Sequence, residues 1–101
     1  MVDMIEIHII ENFKEFNMVI DANKLEVNSN GIVKHISKGT IFKLLSIIKN
    51  WKNEYKDETV IDAPEFTVIV RSFDGIVTYH GKGVYPKNYR VFKTFIGGIR
   101  W

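Results

Sequence analysis

Residues 65–96, EFTVIVRSFDGIVTYHGKGVYPKNYRVFKTFI, hold the strongest hairpin signal of the chain, a Gly-x-Gly turn and an aromatic-rich segment opened by a proline. Phe66–Phe73 and Ile76–His80 are dense in β-branched and aromatic residues, with Asp74-Gly75 between them. Asp-Gly supplies the positive φ of a tight turn whose twist matches its flanking strands, so the stretch predicts a β-hairpin. Phe66, Val68 and Val70 fall on one side and Thr67, Ile69 and Arg71 on the other. Neither side is wholly polar, so the pair is expected to lie centrally in a sheet or to be covered on both sides. Gly81-Lys82-Gly83 then interrupts the second strand, as a bulge or a close backbone approach does. Pro86 suits the first turn of a helix, where its missing N–H goes unused. The pattern predicts a short helix over about 86–96, with Tyr89, Val91, Phe92, Phe95 and Ile96 on one side and Gly97-Gly98 ending it.

The preceding residues read as a sheet followed by one long helix. Ile5, Ile7 and Ile9 alternate with Glu6 and His8, the period of a half-buried strand. Phe16, Met18 and Ile20 repeat that period, and shorter runs carry Leu25 with Val27 and then Ile32–Ile36. Turns fall at Asn12–Glu15, Asp21–Asn23 and Asn28–Gly31, the last rich in residues that tolerate positive φ. Connections this short make the meander antiparallel. From Thr40 the apolar residues Ile41, Leu44, Leu45, Ile48, Trp51 and Tyr55 keep helical spacing, and Ser37 or Thr40 can cap that helix. The expected fold is α+β: a single domain over 1–101 with an antiparallel sheet of about five or six strands. One main helix (about 40–55) packs on one face, and the short helix lies at the sheet's edge or end.

Composition narrows the function classes. The hydrophobic share of 46% and charged share of 26% belong to a globular domain rather than a disordered chain. Cysteine is absent, which excludes disulfides and thiol chemistry and removes the soft ligands that zinc favours. The acidic start MVDMIEIHIIE lacks a basic leader pattern, so the expected location is cytoplasmic, with no membrane association. The net charge of +2 hides an uneven distribution. Residues 1–37 and 57–65 are net acidic, whereas 38–56 and the remainder are net basic. Blocks of opposite sign suit a charged partner.

No catalytic constellation emerges. His8, His35 and His80 lie on separate expected strands, without metal-binding spacing or a nucleophile-elbow sequence. Asp57, Glu58, Asp62 and Glu65 match no calcium loop. The chain is expected to be neither an enzyme nor a holder of metal or cofactor. Candidate partner-binding residues are the aromatics outside the expected core, Phe42, Tyr85 and Trp101, together with the basic Lys87, Arg90 and Lys93. Gly81, Lys82 and Gly83, followed by cations and a helix start, form a candidate anion site for a phosphate or nucleotide. Nucleic acid is a related candidate, with Lys87, Arg90, Lys93 and Arg100 along a backbone and Tyr79, Tyr85 or Trp101 stacking on bases. An uncovered sheet edge or the apolar tail suggests a homodimer.

Gly81, Gly83, Tyr85, Pro86, Asn88, Tyr89 and Phe92 together give a glycine turn, an aromatic-Pro-x-Asn-aromatic step and an apolar helix. This ending resembles that of many small bacterial and phage proteins of unknown function, over about the last third of the chain. The resemblance describes how a strand passes into a helix and implies no catalytic residue. The richness in Ile, Lys and Asn suits an AT-rich genome such as that of a low-GC bacterium or its phage. Small phage products of this size are often compact inhibitors of host proteins. The expected role is therefore that of a small binding module acting through a protein interface.

Overall fold

The computed structural model describes residues 2–57, 59 and 62–99. Strands β1 (Val2–Glu11), β2 (Lys14–Asp21), β3 (Glu26–Ser29) and β4 (Ile32–His35) are followed by helix α1 (Lys38–Ile48). Then come β5 (Glu54–Lys56), β6 (Glu65–Ser72), β7 (Gly75–Lys82) and helix α2 (Tyr89–Ile99). The strands form one seven-stranded sheet in the order β4-β3-β2-β1-β6-β7-β5. Every neighbouring pair is antiparallel except β5 with β7. The fold is α+β as expected, with one strand more than the anticipated range.

The alternation of apolar residues decides which face is covered. Register aligns Ile5, Ile7 and Ile9 with Ile20, Met18 and Phe16 on one flank and with Val70, Val68 and Phe66 on the other. These side chains share one face, and α1 and α2 bury it through Ile41, Leu44, Ile48, Phe92 and Ile96. The opposite face carries Glu6, His8, Thr67, Arg71, Thr78 and His80 and stays open. The result is a two-layer domain, helices on one side of the sheet.

Turn chemistry explains most of the register. Asn30-Gly31 joins β3 to β4 with both residues at positive φ, 53° and 84°, the geometry of a tight hairpin turn. Asn12-Phe13 does the same between β1 and β2, with φ of 54° and 61°. There a fully exposed phenylalanine holds a position that glycine takes in the other turn. Asp21 Oδ1 accepts from the Asn23 and Lys24 amides at 3.0 Å, folding the chain back from β2 to β3. In the β6–β7 hairpin Ser72 pairs with Gly75, so the turn residues are Phe73-Asp74, one place earlier than the Asp-Gly pair predicts. The Ser72 hydroxyl holds this arrangement by donating to Asp74 Oδ1 or to the Gly75 carbonyl, at 3.0 and 3.2 Å.

The helices differ in extent from the sequence pattern. Ser37 is the N-cap of α1, its hydroxyl accepting from the Thr40 amide at 3.1 Å. The helix ends at Ile48 rather than near Tyr55, and the Trp51 amide closes it with a tight bond to the Ile48 carbonyl at 3.0 Å. Beyond it, residues 54–56 become an edge strand in which Tyr55 lies opposite Gly81. Helix α2 begins at Tyr89 and runs through Gly97 and Gly98, so the expected helix is displaced by about one turn.

Candidate functional site

The 65–96 stretch is first of all an aromatic junction. Phe66 lies fully buried among Tyr55, Tyr85, Tyr89 and Trp51, with ring centroids 4.9 to 6.4 Å away. Trp51 also meets Phe92 edge-on at 4.9 Å, an arrangement that the ring quadrupoles favour. Asn88 fastens this cluster to both helices. Its Oδ1 accepts from the Trp51 indole at 2.7 Å, and its Nδ2 donates to the Ile47 carbonyl at 2.8 Å, in the last turn of α1. Its own carbonyl accepts from the Phe92 amide at 3.0 Å, in the first turn of α2.

This geometry reassigns several residues singled out from sequence. Tyr85 stacks on Tyr89 at 4.9 Å and donates its hydroxyl to the Pro64 carbonyl at 2.7 Å, so it is a packing residue. Gly81 and Lys82 belong to β7, paired with β6 on one side and β5 on the other. The Gly83 amide donates to the Tyr85 hydroxyl at 3.3 Å, and α2 starts six residues further on. The triplet therefore does not stand at a helix N-terminus, and the anion cradle expected there loses its geometric basis. Gly81 serves packing instead: a Cβ there would fall 2.2 Å from Phe66 Cε1. Lys93 folds back onto Glu11, with Nζ 2.7 and 2.8 Å from the two carboxylate oxygens. Trp101 and Arg100 lie outside the described residues.

What remains exposed is a cationic layer. Residues 36–53 and 83–99, which contain both helices, include no Asp or Glu and carry Lys38, Lys43, Lys49, Lys52, Lys87, Arg90 and Lys93. All twelve acids lie in residues 3–26 and 54–74. The sheet and its connections hold the negative charge and the helical layer the positive. Lys43 lies 5.6 Å from the Phe95 ring centroid, so the first helix leans a cation onto the second. Lys38, Lys49, Lys52, Lys87 and Arg90 are exposed and have no ionic partner among the described residues. Each helix presents one exposed apolar side chain, Phe42 at 69% and Val91 at 57%, and Val84 ahead of α2 is 40% exposed. Phe42 borders a groove of about 540 Å³ with Val2, Leu25, Ile41 and Leu45, and Lys38 lies on its rim.

The open face carries a second charged feature. His80 on β7 lies between two carboxylates, Nδ1 2.9 Å from Glu54 Oε1 on β5 and Nε2 2.6 Å from Glu65 Oε2 on β6. Glu65, then burial in the opposite sense, then Glu54 set its pKa, and the balance raises it above the ordinary 6.5. Lys56 and Lys82 occupy the adjoining positions of the same face. A histidine with a raised folded-state pKa stabilises fully below about 6.5, and that contribution disappears as pH rises through the folded value. The melting temperature is expected to fall between pH 6 and pH 8.5 in the wild type and to fall less in His80→Gln. Equal slopes in the two proteins would show that Glu54 and Glu65 do not stabilise the protonated imidazole. Among the described residues no group of three or more His, Asp or Glu is placed to hold a metal ion. None of the described helices is long and apolar enough to cross a membrane.

Lys49, Lys52 and Lys56 fall along one edge of the helix expected from sequence, but that helix ends at Ile48 and Lys56 sits on the sheet. The missed signal is the absence of acids from two separated segments, which gains meaning only when both segments prove to be one layer. No protein-family model and no curated protein matches the sequence.

Proposed function

We propose that this protein is a non-enzymatic binding module that docks its helical layer on an acidic surface of a partner protein and blocks that surface. The observation that carries the reading is an acid-free layer of exposed cations with Phe42 and Val91 projecting from it. Exposed apolar residues set among like charges supply what a protein interface uses: an anchor to desolvate and a field that steers encounter. Single-stranded nucleic acid would be held by cations together with the rings expected to stack on its bases. Tyr79 and Tyr85 are instead packed against Trp51 and Phe66, and Lys93 is paired with Glu11. These contacts favour the protein reading over nucleic acid. Inhibition by occlusion asks for no reacting group, and the small size suits a blocking role.

The test compares tagged wild type with a Lys49→Glu/Lys52→Glu/Arg90→Glu variant in lysate of the source cell. All three side chains are exposed, so the variant is expected to keep the wild-type fold and circular dichroism. Wild type should retain a protein at low salt and release it as salt rises, and the variant should retain none. Capture that nuclease treatment abolishes would overturn the reading, as would equal capture by both proteins.

A further inference from the structure

The two edges of the sheet are built differently. Edge strand β5 has three residues, two of them the charged Glu54 and Lys56, and pairs parallel to β7. Short, charged edges discourage further pairing. Edge strand β4 has the opposite character, with Ile32 63% and Val33 54% exposed. Its backbone orientation follows from the hairpin. Ser29 and Ile32 close the two-residue Asn30-Gly31 turn and so form a hydrogen-bonded pair. Bonded and non-bonded pairs alternate along an antiparallel ladder. Val33, opposite Asn28, therefore turns its N–H and C=O away from β3 and out of the sheet.

We infer that β4 is a dimerisation edge and that its occupant is β4 of a second copy, antiparallel, about a two-fold axis through Val33. In this register the two Val33 residues exchange both backbone hydrogen bonds, and their side chains meet on the open face. Ile32 lies opposite Lys34 of the second copy on the helical face, where the lysine's alkyl stem covers it. The neighbouring register with the same hydrogen-bonding sense places Lys34 opposite itself, and like charges directly opposite are unfavourable. The opposite shift sets Ile32 opposite itself but needs the turn residue Gly31 as the bonded partner of Val33, and the Gly31 amide already donates to Asn28 Oδ1 at 3.1 Å. The register centred on Val33 is thus the self-complementary one, as an isologous contact requires. Apolar surface continues beside it: Ile36, Phe95 and Ile99 line a cleft of about 510 Å³ next to His35, at the end of β4. The pairing joins two sheets into one of fourteen strands, sets the two cationic layers side by side and leaves both free.

Light scattering and sedimentation over a concentration series should give a mass rising to twice 11.8 kDa. Val33→Glu should stay monomeric with its melting temperature little changed, because Val33 is mostly exposed. A second measurement fixes the register. The natural chain has no cysteine, so Val33→Cys introduces a single thiol. Hydrogen-bonded antiparallel partners sit with Cα atoms about 5.5 Å apart and Cβ atoms just beyond the roughly 3.5–4.5 Å of an unstrained disulfide, a gap that a short bifunctional thiol reagent spans. With that reagent Val33→Cys should cross-link at least about tenfold faster than Ile76→Cys, an exposed control on the open face near the other edge. A monomeric mass at millimolar concentration would overturn the proposal. So would a dimer that survives Val33→Glu, or cross-linking of Val33→Cys no faster than the control.

Discussion

Replacing Asn88 by alanine is expected to destabilise the protein by about 2–5 kcal/mol, because the change orphans two half-buried groups at once. The Trp51 indole loses its acceptor, and the Ile47 carbonyl at the end of α1 loses its donor. Each unsatisfied group costs about 1–3 kcal/mol, and no neighbouring side chain is seen bonded to either in Asn88's place. For a domain of this length the loss corresponds to a melting temperature lower by more than about 10 °C. Asn88→Asp separates the two bonds: the carboxylate still accepts from the indole but turns an oxygen toward the Ile47 carbonyl in place of the donor, so it should not restore wild-type stability. Trp51→Phe provides the complementary control. In the alanine background it should cost clearly less than in the wild type, because the indole N–H is already unsatisfied there. A change within about 0.5 kcal/mol for Asn88→Ala, or strict additivity with Trp51→Phe, would show that the asparagine does not couple the helices.

That coupling marks where sequence periodicity stops being informative. The strands of the first third were legible because Ile5, Ile7 and Ile9 face a single core, and Asn30-Gly31 admits few conformations other than a tight turn. Helix α1 was legible in kind but not in length. Trp51 and Tyr55 continue its three-and-four spacing, yet they reach the core after the helix has ended, through the aromatic cluster and a strand. Spacing records that a residue is buried; it does not record which backbone geometry buries it. Strand β5 gave no signal at all, since three residues with charged ends and a parallel partner show no alternation. The displacement of α2 has a local cause. Pro86 was read as the first helical residue, but it lies in a turn whose carbonyl accepts from the Tyr89 amide at 3.1 Å. Of the candidate site, Phe42, Lys87 and Arg90 stand exposed, whereas Tyr85 and Lys93 are bonded within the fold. The cationic layer needed topology, because residues 36–53 and 83–99 are far apart in the chain and adjacent only once folded.

Gly81→Ala is the second substitution expected to be severe, and it tests why the glycine stands there. The added Cβ would lie 2.2 Å from Phe66 Cε1, 2.8 Å from Cζ and 3.0 Å from the Val84 carbonyl oxygen. Contacts that short force either the ring or the strand to move. The ring has little room, being fully buried and surrounded by Trp51, Tyr55, Tyr85 and Tyr89. The strand is held by β5 and β6 on its two sides. Overpacking of this kind costs about 1–3 kcal/mol, and the upper end is expected where neither side yields. Phe66→Leu should rescue it in part. Leucine lacks the atoms that the new methyl meets, so the double variant should be more stable than the sum of the two single changes. An anion-binding role would predict another pattern: a modest stability cost for Gly81→Ala, and a rise in melting temperature on adding inorganic phosphate to the wild type but not to the variant. The packing account requires a large loss, rescue from Phe66→Leu and no response to phosphate in either protein. Unfolding curves of the four proteins, with and without phosphate, separate the two explanations.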